Sequence, residues 1–145
     1  MVVAQTSDLA GNRILLDGRD ANDDGAAFFF LGSATADFMR YSVDSAADPT
    51  GNDLFTGSLS ANVEYLFSGY YGTPNNTLFL DGTQVDTDTS APASISTTKN
   101  YFIGRASYSS SAFWQGSIQE VIIYPDDQSA NRAGIESNIT TYYGI

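Results

Sequence analysis

The apolar residues of this chain fall almost entirely in short clusters of aromatic and β-branched residues, each closed by Gly, Asn, Asp or Ser. This rhythm is typical of β-strands joined by tight turns. With 145 residues, the chain has the length of one domain, and we expect residues 1–145 to form a single one. The pattern predicts an all-β sandwich with strands at 13–17, 26–31, 37–43, 54–59, 63–67, 77–80, 83–86, 101–106 and 113–124.

The strongest local signal is a hairpin over residues 77–85. Two β-rich arms flank Asp81 and Gly82, and an Asp-Gly pair readily takes the two positive φ angles of a type I′ turn.

One helix is predicted at the carboxyl end. Ser129 could cap its first turn, Ile135, Ile139 and Tyr142 recur at helical spacing, and Gly144 could end it in the left-handed conformation. We expect this apolar stripe to lie on the preceding strand, 113–124.

The composition excludes several function classes. The chain has no His and no Cys, so it has no Ser-His-Asp triad, no Cys nucleophile and no disulfide. Its net charge of −11 argues against nucleic acid and anionic membrane surfaces as partners. No apolar run approaches the roughly 18 residues of a membrane span, and the first eight residues do not resemble an export signal.

Four ordered motifs resemble a known family: residues 78–82 (LFLDG), 103–105 (IGR), 113–124 (FWQGSIQEVIIY), and a final segment from Asp127 to Ile145. Together they are similar to the concanavalin A-like lectin/glucanase superfamily, and within it to laminin-G-like domains of marine bacterial and bacteriophage proteins. The resemblance implies a jelly-roll β-sandwich with one C-terminal helix. The family's opening strands look shortened or missing here, which would leave a sheet edge uncovered.

Glycoside hydrolases of this superfamily carry a signature similar to Glu-x-Asp-x-x-Glu, which places two carboxylates on one strand. The chain's Glu residues are Glu64, Glu120 and Glu136, and the strand bearing Glu120 offers no second acid. We therefore expect no enzyme and no catalytic residue. Glu120 is predicted to point into the sandwich beside Ile118 and to form a structural ion pair with Arg105.

A calcium loop is an open alternative at Asp20, Asn22 and Asp24, which have the spacing of oxygen ligands before Gly25. The twelfth position is Leu31 instead of a bidentate Glu, and such clusters also form solvated turns. The sequence favours no metal and no cofactor.

Tyrosines in predicted loops could stack on sugar rings, and Tyr70, Tyr71 and Tyr108 are the candidate ligand-binding residues. The same residues could equally form a protein interface. Trp114 is expected to pack inside the sandwich.

Two functional hypotheses follow. The first is a non-catalytic structural module at a virion surface, stabilising or decorating a bacteriophage capsid as a homo-oligomer, a trimer, that contacts the viral shell protein. The alternative is an extracellular carbohydrate-binding module of lectin type, from a phage or marine bacterial surface protein, with a glycan as its partner.

Overall fold

The computed structural model describes residues 1–18, 28–31, 37–42, 53–72, 75–89, 100–107 and 111–145. Within these residues the chain forms ten strands and one helix, arranged as two five-stranded sheets. The elements are β1 (Val2–Thr6), β2 (Arg13–Asp17), β3 (Phe28–Leu31), β4 (Met39–Ser42), β5 (Asp53–Phe55), β6 (Glu64–Tyr70), β7 (Asn76–Leu80), β8 (Thr83–Asp88), β9 (Phe102–Ile103), β10 (Gly116–Val121) and α1 (Arg132–Tyr143).

The strand order is β10-β1-β6-β7-β8 in the first sheet and β5-β4-β3-β2-β9 in the second. Neighbouring strands in both sheets are antiparallel. The predicted concanavalin A-like β-sandwich with a C-terminal helix is confirmed. Every predicted strand has a counterpart, and the bounds of β2 coincide with the predicted 13–17.

The hairpin between β7 and β8 is confirmed as well. Asp81 and Gly82 have φ angles of 49° and 79°, as a two-residue turn with positive φ at both positions requires. The Asp81 carboxylate also accepts a 2.7 Å hydrogen bond from the Leu66 backbone N–H, which ties the turn to β6.

The amino-terminal region differs from the prediction. Val2–Thr6 forms strand β1, which lies between β10 and β6, so the expected uncovered edge at this place is wrong. Val2, Val3 and Ala4 are each at most 1% exposed, so both faces of the strand are covered. A strand covered on both faces has consecutive apolar residues instead of an alternating pattern. That missing alternation is why the sequence pattern did not reveal the strand.

The sandwich core lies between the inner faces of the two sheets. It contains large buried side chains from both, which pack as one cluster: Leu15, Phe29, Tyr41, Leu54, Phe67 and Leu78. Trp114 packs against this cluster as expected, and its indole N–H lies 3.2 Å from the Gln5 carbonyl oxygen and 3.3 Å from that of Ser117.

Helix α1 covers the outer face of the first sheet. Buried Ile139 packs with Val3 of β1 and Leu66 of β6, so the helix lies on the middle of the sheet instead of chiefly on β10. Tyr142, which was expected in the apolar stripe, is 82% exposed, and Tyr143 packs against the sheet in its place.

The predicted C-terminal end of α1 is confirmed, whereas the predicted N-cap is wrong. The N-cap is Asn131, which makes no side-chain cap hydrogen bond, and the Ser129 backbone N–H binds the Asp127 carboxylate in the turn before the helix. Gly144 ends the helix with φ 77°, as predicted. No helix in the described part of the chain is long and apolar enough to cross a membrane.

Candidate functional site

A cleft of about 310 Å³ opens at one end of the sandwich. It lies beside the end of β6, the residue before β9 and the segment that follows β10. Six aromatic side chains line it: Phe29, Tyr41, Tyr70, Tyr71, Tyr101 and Tyr124. The polar and charged side chains of the lining are Asp126, Asp127, Gln128 and Arg132.

The floor of the cleft is part of the sandwich core. Tyr41 is 2% exposed, and its ring centroid lies 5.1 Å from that of Phe29. A Cβ at Gly69 would lie within 2.8 Å of three atoms of the Tyr41 ring, so only glycine lets this ring approach β6 so closely. Burial raises the pKa of Tyr41, which therefore stays neutral at physiological pH. The floor is a fixed, uncharged aromatic surface.

One wall joins the end of β6 to the segment before the helix. The Tyr70 hydroxyl hydrogen-bonds with the Asp127 carboxylate, which also accepts a 2.8 Å bond from the Ser129 backbone N–H. The bonds from Ser129, with a further contribution from Tyr70, lower the pKa of Asp127. Burial and the Asp127 charge raise the pKa of Tyr70. A Cβ at Gly72 would lie within 2.5 Å of Cε1 and Cζ of Tyr70, so the ring packs tightly against this backbone.

Arg132 is the cationic side chain of the described cleft lining, and two residues hold it in place. Its guanidinium carbon lies 3.7 Å from the centroid of the Phe79 ring, a cation–π arrangement. It also forms an ion pair with Glu136, one helical turn along α1, whose side chain is 2% exposed.

The opposite walls carry more exposed rings. Tyr101 and Tyr124 are 43% and 41% exposed, and both line the cleft. Partial burial raises the pKa of Tyr101, so its hydroxyl stays protonated at physiological pH and can donate a hydrogen bond. These rings are available to a ligand.

Two of the predicted ligand-binding residues, Tyr70 and Tyr71, lie together in this cleft. Tyr108 lies outside the described residues, and so do Asp20, Asn22 and Asp24 of the possible calcium loop. Within the described ranges, no group of three or more Asp or Glu side chains is placed to hold a metal ion.

Arg105 and Glu120, which the sequence predicts to pair, are not brought together. The Arg105 guanidinium lies 4.8 Å from the Phe102 ring centroid, and its Nε donates to the Ala106 carbonyl oxygen. Glu120 is cross-strand from Val3 on the helix-covered side and hydrogen-bonds with Tyr143.

The cause is a β-bulge in β10. Val3 pairs with Glu120 but Ala4 pairs with Ile118, so the alternation of inward and outward residues shifts by one between them. Ile118 and Val121 therefore face the core, and Glu120 does not.

Sequence reasoning missed Tyr101, Tyr124, Asp126, Asp127 and Arg132 as cleft residues. A usable signal was present in Tyr124-Pro125-Asp126-Asp127, where an aromatic residue and two acids stand at the end of the predicted strand 113–124 and before the predicted helix. Binding residues are found disproportionately on loops that a rigid scaffold positions.

Two antiparallel five-stranded sheets with one C-terminal helix form a β-sandwich, and an aromatic cleft lies at one end of it. A laminin-G-type family model, described as concanavalin A-like lectin/glucanases superfamily, matches residues 3–132. The chain belongs to this superfamily.

Two solved structures are similar to the chain. One is a "putative carbohydrate binding protein" from Bacteroides ovatus, with 15% sequence identity, a TM-score of 0.63 and 82% of this chain covered. The chain spans about a third (34%) of that protein's length. The other is an S-layer domain-containing protein from Clostridium thermocellum, with 13% identity, a TM-score of 0.46, and 87% of this chain and 63% of that one covered. No curated protein sequence matches the chain.

Proposed function

We propose that this chain is a non-catalytic carbohydrate-binding module whose ligand occupies the aromatic cleft. The observation that carries the proposal is the convergence of Tyr70, Tyr71, Tyr101 and Tyr124 with Asp126 and Asp127 around one cavity. Aromatic faces pack against the apolar C–H faces of sugar rings, and carboxylates accept hydrogen bonds from sugar hydroxyls.

The size and rigidity of the cleft support this function. A volume of about 310 Å³ lies at the lower end of the roughly 300–1,000 Å³ of small-molecule sites, which fits a short stretch of glycan. Its floor is set by the Tyr41–Gly69 contact and one wall by the Tyr70–Asp127 bond, so little ordering is needed on binding. The superfamily's lectin members and the name of the Bacteroides ovatus neighbour are consistent with the same function.

The absence of catalysis is part of this proposal, and the placement of the glutamates supports it. Glu136 is engaged with Arg132, and Glu120 contacts Tyr143 on the helix-covered side of the first sheet. Neither Glu64 nor Glu120 is among the described cleft residues.

The role in a bacteriophage capsid stays a prediction, and so does the trimer. Self-assembly through an uncovered amino-terminal edge lacks its structural basis, because β1 lies inside the first sheet. A carbohydrate-binding module would act outside the cell, so we propose an extracellular location.

A glycan array followed by titration of the best ligand tests the function. Tyr101→Ala and Tyr124→Ala should each weaken binding at least tenfold, because aromatic anchors dominate sites of this kind. Tyr142→Ala is the matched control, since this tyrosine is 82% exposed on α1 and outside the cleft. Binding that survives both cleft substitutions, or none to any glycan, would contradict the proposal.

A further inference from the structure

We propose that the cleft binds glycans of neutral and amino sugars, whose polar groups donate hydrogen bonds. Glycans that carry uronic acids or sulfate groups should bind weakly or not at all. This inference rests on the proposed function and specifies its ligand class. The structural basis is a cation that is already neutralised inside the protein and a rim that carries free carboxylate charge.

Arg132 is the cationic side chain among the described cleft residues, and it could in principle bind an anionic ligand. Its charge is already neutralised by Glu136. Its guanidinium pairs with Glu136 and packs against the face of Phe79. The Glu136 side chain is 2% exposed, and its Oε1 has no hydrogen-bond partner among the described residues. Moving Arg132 towards a ligand would leave that carboxylate buried without its counter-ion, which is strongly unfavourable.

Met1 also lines the cleft, and its amino group adds little positive charge there. The group donates a 2.8 Å hydrogen bond to the Ile122 carbonyl oxygen. Burial lowers its pKa to about 6, so most molecules carry it uncharged at pH 7 and above. Titrations at pH 8 therefore keep this group out of the charge balance of the cleft.

The rim has the opposite character. Asp127 accepts bonds from Ser129 and Tyr70, which hold its charge at the mouth of the cleft. Asp126 also lines the cleft and is exposed, and its carboxylate makes no hydrogen bond or ion pair within the described part of the chain. Asp126 is therefore a free acceptor for a sugar hydroxyl or ammonium group.

These charges leave the cleft negative, and the net charge of −11 gives the whole molecule the same sign. An anionic sugar entering the cleft meets the carboxylates of Asp126 and Asp127 in the lining, with no uncommitted cationic side chain among the described lining residues. On Coulomb's law with an effective dielectric constant near 20, this repulsion is large enough to weaken binding by about tenfold or more at low salt.

The test is a titration series at pH 8 and low salt with four probes of similar length: a neutral β-glucan oligosaccharide, a chitosan oligosaccharide, a polyuronate oligosaccharide and a sulfated oligosaccharide. We expect binding to the neutral or the chitosan probe at least tenfold tighter than to either anionic probe. Tighter binding of an anionic probe would overturn this inference and leave the proposed function standing. No binding of any probe or of any arrayed glycan would overturn both.

Variants locate the cause of the selectivity. Asp126→Asn should raise the affinity for the polyuronate probe about fivefold relative to the affinity for the neutral probe, because it removes one negative charge from the rim. Glu136→Gln should also improve binding of the anionic probes, because Arg132 loses its internal counter-ion. Asp37→Asn is the matched control, since Asp37 is exposed outside the cleft and its change should alter none of the four affinities.

Thermal unfolding of each variant establishes that it is folded before titration. If Glu136→Gln does not fold, the Asp126→Asn variant alone tests whether the rim carboxylates cause the selectivity. An Asp126→Asn protein whose affinity for the polyuronate relative to the neutral probe is no higher than that of wild type, or gains no more than that of Asp37→Asn does, would contradict the proposed origin of the selectivity.

Discussion

The ring of Tyr41 lies against the backbone of Gly69 so closely that a Cβ at position 69 would come within 2.8 Å of three of its atoms. This contact joins β4 of one sheet to β6 of the other and forms the floor of the cleft. Gly69→Ala should cost about 1–3 kcal/mol of unfolding free energy, because overpacking forces the ring or the strand to move. It should also weaken glycan binding, since the ring is a cleft residue.

Gly57→Ala is the control for this substitution. A Cβ added at Gly57 would meet no heavy atom within 4 Å among the described residues, so the change should lie within about 0.5 kcal/mol of wild type or be slightly stabilising. Urea unfolding measures both variants. Equal effects of the two substitutions would show that the Tyr41–Gly69 contact is not rigid.

Glu136 of α1 and Glu120 of β10 should differ sharply in their effect on stability. Glu136→Ala removes the partner of a cation whose side chain is 24% exposed, and we expect a cost of about 2 kcal/mol, below the value for a fully buried pair. Glu120→Ala removes a half-buried carboxylate that hydrogen-bonds with Tyr143, and we expect at most about 1 kcal/mol. A Glu120→Ala cost as large as that of Glu136→Ala would restore the inward ion pair predicted from sequence.

The fold was predictable wherever a strand carries its own pattern. The Asp81-Gly82 turn and strand β2 needed only local signals, and both were placed correctly. Strand β1 was not predicted because the sandwich core covers one of its faces and helix α1 the other, and both come from residues distant in sequence. The side-chain direction of Glu120 was predicted wrongly because one bulge in β10 shifts the alternation of inward and outward residues beyond it. No local pattern in Gly116–Val121 indicates the position of the bulge.

The cleft was only half predictable for a related reason. Tyr70 and Tyr71 are neighbours in sequence and were recognised together, whereas Tyr101 and Tyr124 reach the same cavity from separate connections. Arg132 and Glu136 lie one turn apart on α1. The burial of Glu136 and the contact of Arg132 with Phe79 depend on the packing of the hairpin against the helix, which no local pattern indicates.

The Asp127 carboxylate should give the stability of the protein a measurable pH dependence at low pH. The bonds from Ser129, and then that from Tyr70, lower its pKa below the ordinary value of 3.8. A lowered pKa in the folded state means that the contribution is fully present above pH 3.8 and is lost as pH falls through the lower folded-state value. Asp127→Asn should thus be less stable than wild type at pH 7, and the difference should shrink at more acidic pH.

Melting temperatures of wild type and Asp127→Asn from pH 7 to pH 2 check this expectation. Asn can still accept the Ser129 N–H bond, so the variant isolates the charge. Asp37→Asn is the control for a change of one charge elsewhere. A difference between wild type and Asp127→Asn that stays constant down to pH 2 would contradict a stabilising carboxylate at this position.

Chemical-shift mapping by NMR shows where on the protein the glycan binds. The isotope-labelled protein is titrated with its best glycan, and the amide and aromatic signals are followed residue by residue. The account predicts that the largest changes occur at Gly69, Tyr101, Tyr124 and Asp126, while Tyr142 and the Asp81-Gly82 turn stay unchanged. Saturable changes confined to residues outside the cleft, with the cleft tyrosines unaffected, would contradict it.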